Sequence, residues 1–387
     1  MSTGTAIAGL GLTQVGKVYG RSASQFAQDA IRLAVADAGL RLADVDGVLV
    51  SAGKSGGVDL TIAEDLGLSD LSLLLSVNAF GSSAASMVAL ASAAIESGSA
   101  QVVVCVFADA PLREGVRGSE VYARPAARGF GGHLSASGIT NTTAYYALAA
   151  QRHMQAYGTT SAQLGAIAVG QRAWATDNPA AQMRAPISLI DHQTSKFVVE
   201  PLHLLDCCLV SNGGAAVVVT TAERARALAQ PPVHVWGWGQ GHPGYSWERG
   251  SQFGLSTGAV QSGQAAMKMS GITPSDVTIR EIYDCYTYTV AVTLEDYGFC
   301  GKGEGGELAA SGALAPGGAL PTNTGGGQLS SYYLWGFTPL VEAVIQARGH
   351  GGARQVEDNA VVLVSGNGGI LQHHSTLVLS PTGRTNR

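Results

Sequence analysis

No stretch of about 20 consecutive apolar residues occurs in the 387-residue chain, so a membrane-spanning helix is not expected. Charge is also scarce. Only 13% of residues are Asp, Glu, Lys or Arg, and the net charge of −5 offers no basic face for a nucleic acid. The five cysteines include no CxxC spacing, and Cys207 and Cys208 are adjacent, which argues against a disulfide framework and against a zinc site. No metal is expected. The opening segment MSTGTAIAGLGLT lacks the basic start and cleavage pattern of a secretory signal and reads as a first strand, so a cytoplasmic location is expected.

What the chain does have is apolar residues, 46% of the total, enough for a large buried core in one or two tightly joined domains. It also has 52 glycines, clustered in GFGGH (129–133), GKGEGG (301–306), NTGGGQ (323–328) and SGNGGI (365–370). Glycine lets a backbone approach a ligand closely, so these loops point to a site built partly from main chain.

Helical and strand patterns alternate, which defines an α/β protein. TAIAGLGL, VDGVLVSAG and QVVVCVFAD read as strands, and residues 22–40 read as a helix closed by Gly39. Residues 111–200 are less regular and form an excursion with helices predicted at 141–157 and 161–177. After PPVHVWGWGQ the organisation starts again. DAGLRLADVDGVLV (37–50) has a counterpart in MSGITPSDVTIREIY (269–283), and the segment from Gly81 to Phe107 one in Gly325 to Val364. A duplicated unit is expected, with halves 1–230 and 231–387. Its two equivalent strand-to-helix loops would face one cleft, where open α/β sheets bind ligands.

VNAFGSSAASMVALASAAIESG (77–98) places a short loop directly before an Ala-rich helix, a position where unpaired N–H groups favour reactive groups. The loop offers only Phe80, Gly81, Ser82 and Ser83. A serine nucleophile needs an adjacent base, which the local sequence lacks, so capping is the expected role of both hydroxyls.

PLHLLDCCLVSNGGAAVVVT (201–220), YDCYT (283–287), LEDYGFCGKGEGG (294–306) and LPTNTGGGQLS (320–330) resemble the thiolase superfamily, in its lipid-transfer-protein branch. The resemblance spans nearly the whole chain. It implies two similar βαβαβ halves in a five-layer α/β/α/β/α sandwich, with a loop excursion in the first half.

Thiolases carry a cysteine at the N-terminus of the central helix, and Gly81 stands at that position here. The loop histidine of thiolases is replaced by Tyr333, preceded by Tyr332. The Asn or His of the family's four-residue motif is replaced by Tyr283, and the terminal Cys-x-Gly-Gly becomes SGNGG. This pattern resembles bacterial steroid side-chain-cleaving aldolases, which pair with a hydratase carrying a zinc-ribbon/OB-type domain. The resemblance implies retro-aldol cleavage of a β-hydroxyacyl-CoA steroid to a ring ketone and a short acyl-CoA, typically propionyl-CoA. It also implies a homodimer within a larger hetero-oligomer.

That reaction needs a base for the hydroxyl, an acid for the α-carbon and stabilisation of the enolate, but no nucleophile. Tyr283 is the expected base and Tyr333 the acid or orienting donor. Main-chain N–H groups near Gly326, Gly327, Gly368 and Gly369 are the expected oxyanion donors. Phe80, Gly81, Ser82, Tyr332 and His242 are expected to line the pocket. His242, His373 and His374 are candidate partners for the phenols, while Asp284 and Cys285 are expected to shape the motif. Among the basic residues of the excursion, Arg128, Arg184 and Lys196 are candidate contacts for coenzyme A, with Arg124 and Arg172 also in that stretch. Coenzyme A is expected as part of the substrate, with no further cofactor in this chain. A degradative thiolase or acyltransferase and a non-catalytic lipid carrier or scaffold are the alternatives.

Overall fold

Thr5–Leu12 forms β1, the strand that the opening residues predict. The computed structural model describes residues 4–116, 118–121, 132, 136–244 and 249–384. The remaining strands are β2 (Gly47–Ala52), β3 (Leu73–Ser76), β4 (Val102–Asp109), β5 (Phe197–Val199), β6 (Leu202–His203), β7 (Gly213–Thr221), β8 (Val233–Gly241), β9 (Ile279–Glu281), β10 (Val362–Gly368) and β11 (His373–Ser380). The principal helices are α1 (Ala23–Asp37), α2 (Ser83–Glu96), α3 (Thr142–Tyr157), α4 (Ser161–Ala175), α5 (Ala259–Ser270), α6 (Thr287–Asp296) and α7 (Phe337–Ala347).

Nine strands form one continuous sheet in the order β3-β2-β4-β7-β1-β8-β11-β10-β9. The five on one side come from residues before 222, the four on the other from residues after 232. They are joined at a short antiparallel seam in which Thr5, Ala6 and Ile7 of β1 face Val235, His234 and Val233 of β8. Strand alternation then sorts side chains into layers. Val103, Cys105 and Phe107 of β4 face an inner core that also holds Val362 and Val364 of β10 and Leu377 and Leu379 of β11. Val102, Val104 and Val106 face the opposite way, against Phe26, Ala30 and Ile31 of α1. Leu363 and Val378 face a third core with residues of α5 and α6. Helices therefore lie outside, between and outside the two sheet portions, which is the five-layer α/β/α/β/α arrangement.

The middle layer is α2 with α7. Ala84, Met87, Val88 and Ala91 of α2 and Leu340, Val341 and Val344 of α7 all sit in the inner core. Residues 83–89 of α2 are all buried and need no polar face, which explains the run of Ala, Ser, Met and Val there, whereas Leu90 and Ala93 farther along are exposed. At the periphery, α1 shows how local signals set the boundaries. Ser22 and Gln25 form a reciprocal capping box, and Gly39, one residue past the C-cap at φ +73°, turns the chain out. α3, α4 and the β5–β6 hairpin lie between β4 and β7 in the chain and constitute the excursion. No helix among the described residues is long and apolar enough to cross a membrane.

Candidate active site

β9 and β10 run parallel, and the chain leaves the C-terminal end of β9 directly into Ile282, Tyr283 and Asp284. Asn323 fixes that exit: its side-chain oxygen accepts from the Ile282 N–H at 2.6 Å, and its own N–H donates to the Arg280 carbonyl. The glycine loop continues into a wide turn over Gly327–Ser331, after which the backbone is extended at Tyr332. This brings Tyr333 to Tyr283, with the two hydroxyl oxygens 3.1 Å apart. Tyr283 is buried, Tyr333 half-buried. Ser211, two residues before β7, anchors Tyr333 by accepting its N–H at 2.9 Å.

Gly81 meets this pair from the middle layer. A Cβ built on Gly81 would overlap Cε2 and Cζ of the Tyr283 ring and the carbonyl oxygen of Asn367. The space of a nucleophile's side chain is thus occupied by the ring of Tyr283. The loop backbone is held just as closely. Side chains at Gly336, Gly366 and Gly368 would each collide with main chain of residues 79–82. Five non-glycine residues nearby, Phe80, Asn323, Trp335, Ile370 and Leu371, have φ between +49° and +65°. Such conformations cost free energy and persist only where surroundings enforce them, typically at functional sites. Phe80 is exposed, stacks on His373 at 6.3 Å and lies 5.9 Å from Trp335.

The histidines separate. His242 and His373 share a 3.0 Å contact between their Nδ1 atoms, and burial followed by His242 holds His373 below the ordinary imidazole value. His374 turns the other way, bonds Ser365 and Tyr297, and burial pushes it down to about 3; it belongs to the third core, not to the phenols.

Several expectations need correction. Ser82 does not cap α2: its buried hydroxyl has no partner, whereas the Ser83 hydroxyl accepts from the Ala79 N–H at 2.8 Å. The chain enters α2 through a short 3-10 turn at Phe80–Ser82, which removes the extended N-cap geometry a serine needs. Tyr332 does not line the pocket; it is 3% exposed in the inner core. Three amides of the glycine loop are already committed. Gly326 N–H donates to Asn323, and those of Gln328 and Leu329 donate to the Asp284 carboxylate at 2.8 to 3.2 Å. Gly326 and Gly327 instead serve close packing, since a Cβ there would strike Ala175 or Asp284. Gly368 pairs with His373, and Gly369, at φ +64°, begins the turn between β10 and β11.

The candidate coenzyme A contacts are scattered. Arg184 is exposed and donates to the Thr176 carbonyl, and Lys196 is exposed beside β5. Arg172 is buried and bonds Ser330 and Ala185, bracing the glycine loop. Arg124 and Arg128 lie outside the described residues.

Two site residues carry no sequence signal of their own. Tyr146, on α3, is buried with its ring 4.6 Å from Tyr286, and its hydroxyl accepts from Asn367 Nδ2 at 3.2 Å. Asn367 occupies the middle of SGNGG and is 2% exposed. Cys285, beside Tyr146, is pushed up to about 12 by burial, so its thiol stays protonated. Such a thiol is no substitute nucleophile.

Asp284 is the structural hinge of the motif. It points opposite to Tyr283 and holds the turn leading to Tyr333. Burial raises its carboxyl to about 7, against the opposing pull of the loop N–H groups. Glu281 and Glu342 lie close by, both accepting from the Thr324 hydroxyl. The sign follows from the raised value: the stabilising effect of Asp284 is full below the ordinary carboxylate range and is lost as pH rises through about 7. Ionisation nevertheless strengthens its grip on the two amides. Turnover is therefore expected to rise with pH through a step near 7. Asp284→Asn is expected to be slower and to lose that step, which a pH–rate profile would read directly.

An α/β/α/β/α molecule with a glycine in the nucleophile's place defines a thiolase-like protein that lacks the family's cysteine nucleophile. Residues 239–381 match the thiolase C-terminal domain-like family. The chain is 39% identical over 377 residues to a steroid side-chain-cleaving aldolase of Thermomonospora curvata, covering 94% of this chain and 95% of that relative. It is 37% identical to the 17-hydroxy-3-oxo-4-pregnene-20-carboxyl-CoA lyase of Mycobacterium tuberculosis, covering 90% and 92%. A solved Ltp2-ChsH2(DUF35) aldolase superposes with a TM-score of 0.87 at 37% identity, covering 98% of each chain. The chain belongs to this family of thiolase-like steroid side-chain aldolases.

Proposed function

We propose that the protein is a carbon–carbon lyase that cleaves the side chain of a β-hydroxyacyl-CoA steroid by a retro-aldol reaction. The observation that carries this reading is the hydrogen-bonded pair Tyr283–Tyr333 set over Gly81. Tyr283, as phenolate, takes the proton of the β-hydroxyl. The bond between the α- and β-carbons breaks, its electrons pass to the thioester as an enolate, and the β-carbon becomes the ring ketone. Tyr333 then protonates the α-carbon, giving a short acyl-CoA, propionyl-CoA in this reading. A proton passing between the phenols restores the starting state. Each phenol can donate to the other, which stabilises negative charge on whichever has lost its proton.

Coenzyme A enters as part of the substrate, and the reaction consumes no free coenzyme A. The aldolase named with ChsH2(DUF35) supports a partner of that kind here: a hydratase-associated subunit with a zinc-ribbon/OB-type domain, bound to a homodimer of this chain. The test is incubation of the protein with a β-hydroxyacyl-CoA steroid, with and without such a partner domain. A ring ketone and an acyl-CoA formed in equal amounts without added coenzyme A are expected. Cleavage that requires free coenzyme A would instead indicate a thiolase.

A further inference from the structure

An open cleft of about 540 Å³ lies along the outer edge of β9, and none of its lining residues belongs to the tyrosine site. Arg280 lines it. Arg280 is 3% exposed, and its guanidinium stacks on the Phe299 ring at 4.6 Å and donates to the carbonyls of Val277 and Thr278. Its Nε–H has no acceptor. Burial lowers Arg280 to about 10, which still leaves it charged at neutral pH. Among the other buried arginines, Arg348 faces Asp37, Arg354 faces Glu342, and Arg172, without an ion pair, donates its Nε–H to Ser330, whereas Arg280 has neither an ion pair nor an Nε–H acceptor among the described residues. A desolvated charge without a counter-ion is costly, and a buried donor without an acceptor adds to that cost.

We propose that this cleft is a second ligand site and that it takes a small organic monocarboxylate. The carboxylate would meet the cation at the floor of the cleft, while an aliphatic body lies along Val277, Phe299, Leu320 and Pro321. The volume is in the range of small-molecule sites. One cation at the floor and the exposed carboxylate of Asp358 in the lining favour a singly charged ligand over phosphate. The site adjoins the catalytic loop through the main chain, because Arg280 bonds both Pro321 and Asn323.

The test is titration of the full chain with hexanoate, hexanol and inorganic phosphate, followed by calorimetry and by thermal unfolding. Hexanoate is expected to bind saturably and to raise the unfolding temperature, with hexanol and phosphate at least about tenfold weaker, the loss of one charge-assisted contact. Arg280→Met is expected to abolish the hexanoate effect. Ala319→Trp, which fills the exposed mouth and leaves Arg280 in place, is expected to abolish it too, with the lyase rate and the unliganded unfolding temperature unchanged. No saturable binding by the wild-type chain, or binding that survives Ala319→Trp, would overturn the proposal. Equal affinity for hexanol would do the same.

Discussion

Tyr283→Phe is expected to lower the lyase rate by about 10²- to 10⁴-fold, the usual contribution of a positioned general base. The ring stays, so the packing over Gly81 and the fold should be unchanged. What disappears is the oxygen that sits 3.1 Å from Tyr333. Tyr333→Phe is expected to act similarly, and the double variant to be little worse than either single one, because groups that act as a unit are not additive. Steady-state release of acyl-CoA, with circular dichroism to verify folding, measures this. A Tyr283→Phe enzyme within about tenfold of the parent would remove the phenol from the base role, because that is below the usual loss.

Gly81→Cys is the second large effect. Restoring the cysteine of a thiolase would not restore a thiolase. Gly81 has no left-handed φ, so its backbone tolerates a side chain; the space does not. A Cβ there displaces the Tyr283 ring or the Asn367 carbonyl, and overpacking of this kind costs about 1–3 kcal/mol. The variant is expected to lose most lyase activity, to unfold at a lower temperature and to carry no acyl adduct by mass spectrometry after exposure to acyl-CoA. Gly81→Ala should share the lost rate, which would separate volume from thiol chemistry. A side chain at 81 and an aromatic ring at 283 thus compete for one space, and the glycine makes room for the ring.

Much of the architecture is legible in the chain because it rests on periodicity. β1 occupies the residues TAIAGLGL predict, and α3 and α4 start within a residue of expectation. Alternation also explains what sequence cannot decide. Tyr332 and Tyr333 are neighbours on extended backbone, so one must enter the core if the other enters the site, and nothing in YY says which. His373 and His374 divide in the same way on β11, one beside His242 and the other buried against Ser365 and Tyr297. The replaced motif positions named Gly81 and Tyr283 separately; that the ring of one fills the void of the other is a tertiary contact with no local mark. Tyr146 had no mark at all, since it comes from a helix of the excursion. That Asp284 takes the N–H groups of Gln328 and Leu329, and Asn323 that of Gly326, is likewise a tertiary arrangement with no local mark.

The seam between β1 and β8 has a mechanical corollary. Two halves stitched by one ladder, with α2 and α7 sandwiched between them, cannot swing apart like the shells of a clam without baring Met87, Val88 and Leu340 to water. A hinge is therefore denied to this enzyme. Ligand traffic must pass over the strand ends, where the exposed ring of Phe80 stands against Trp335 and His373, and any gating of turnover falls to loops rather than to lobes.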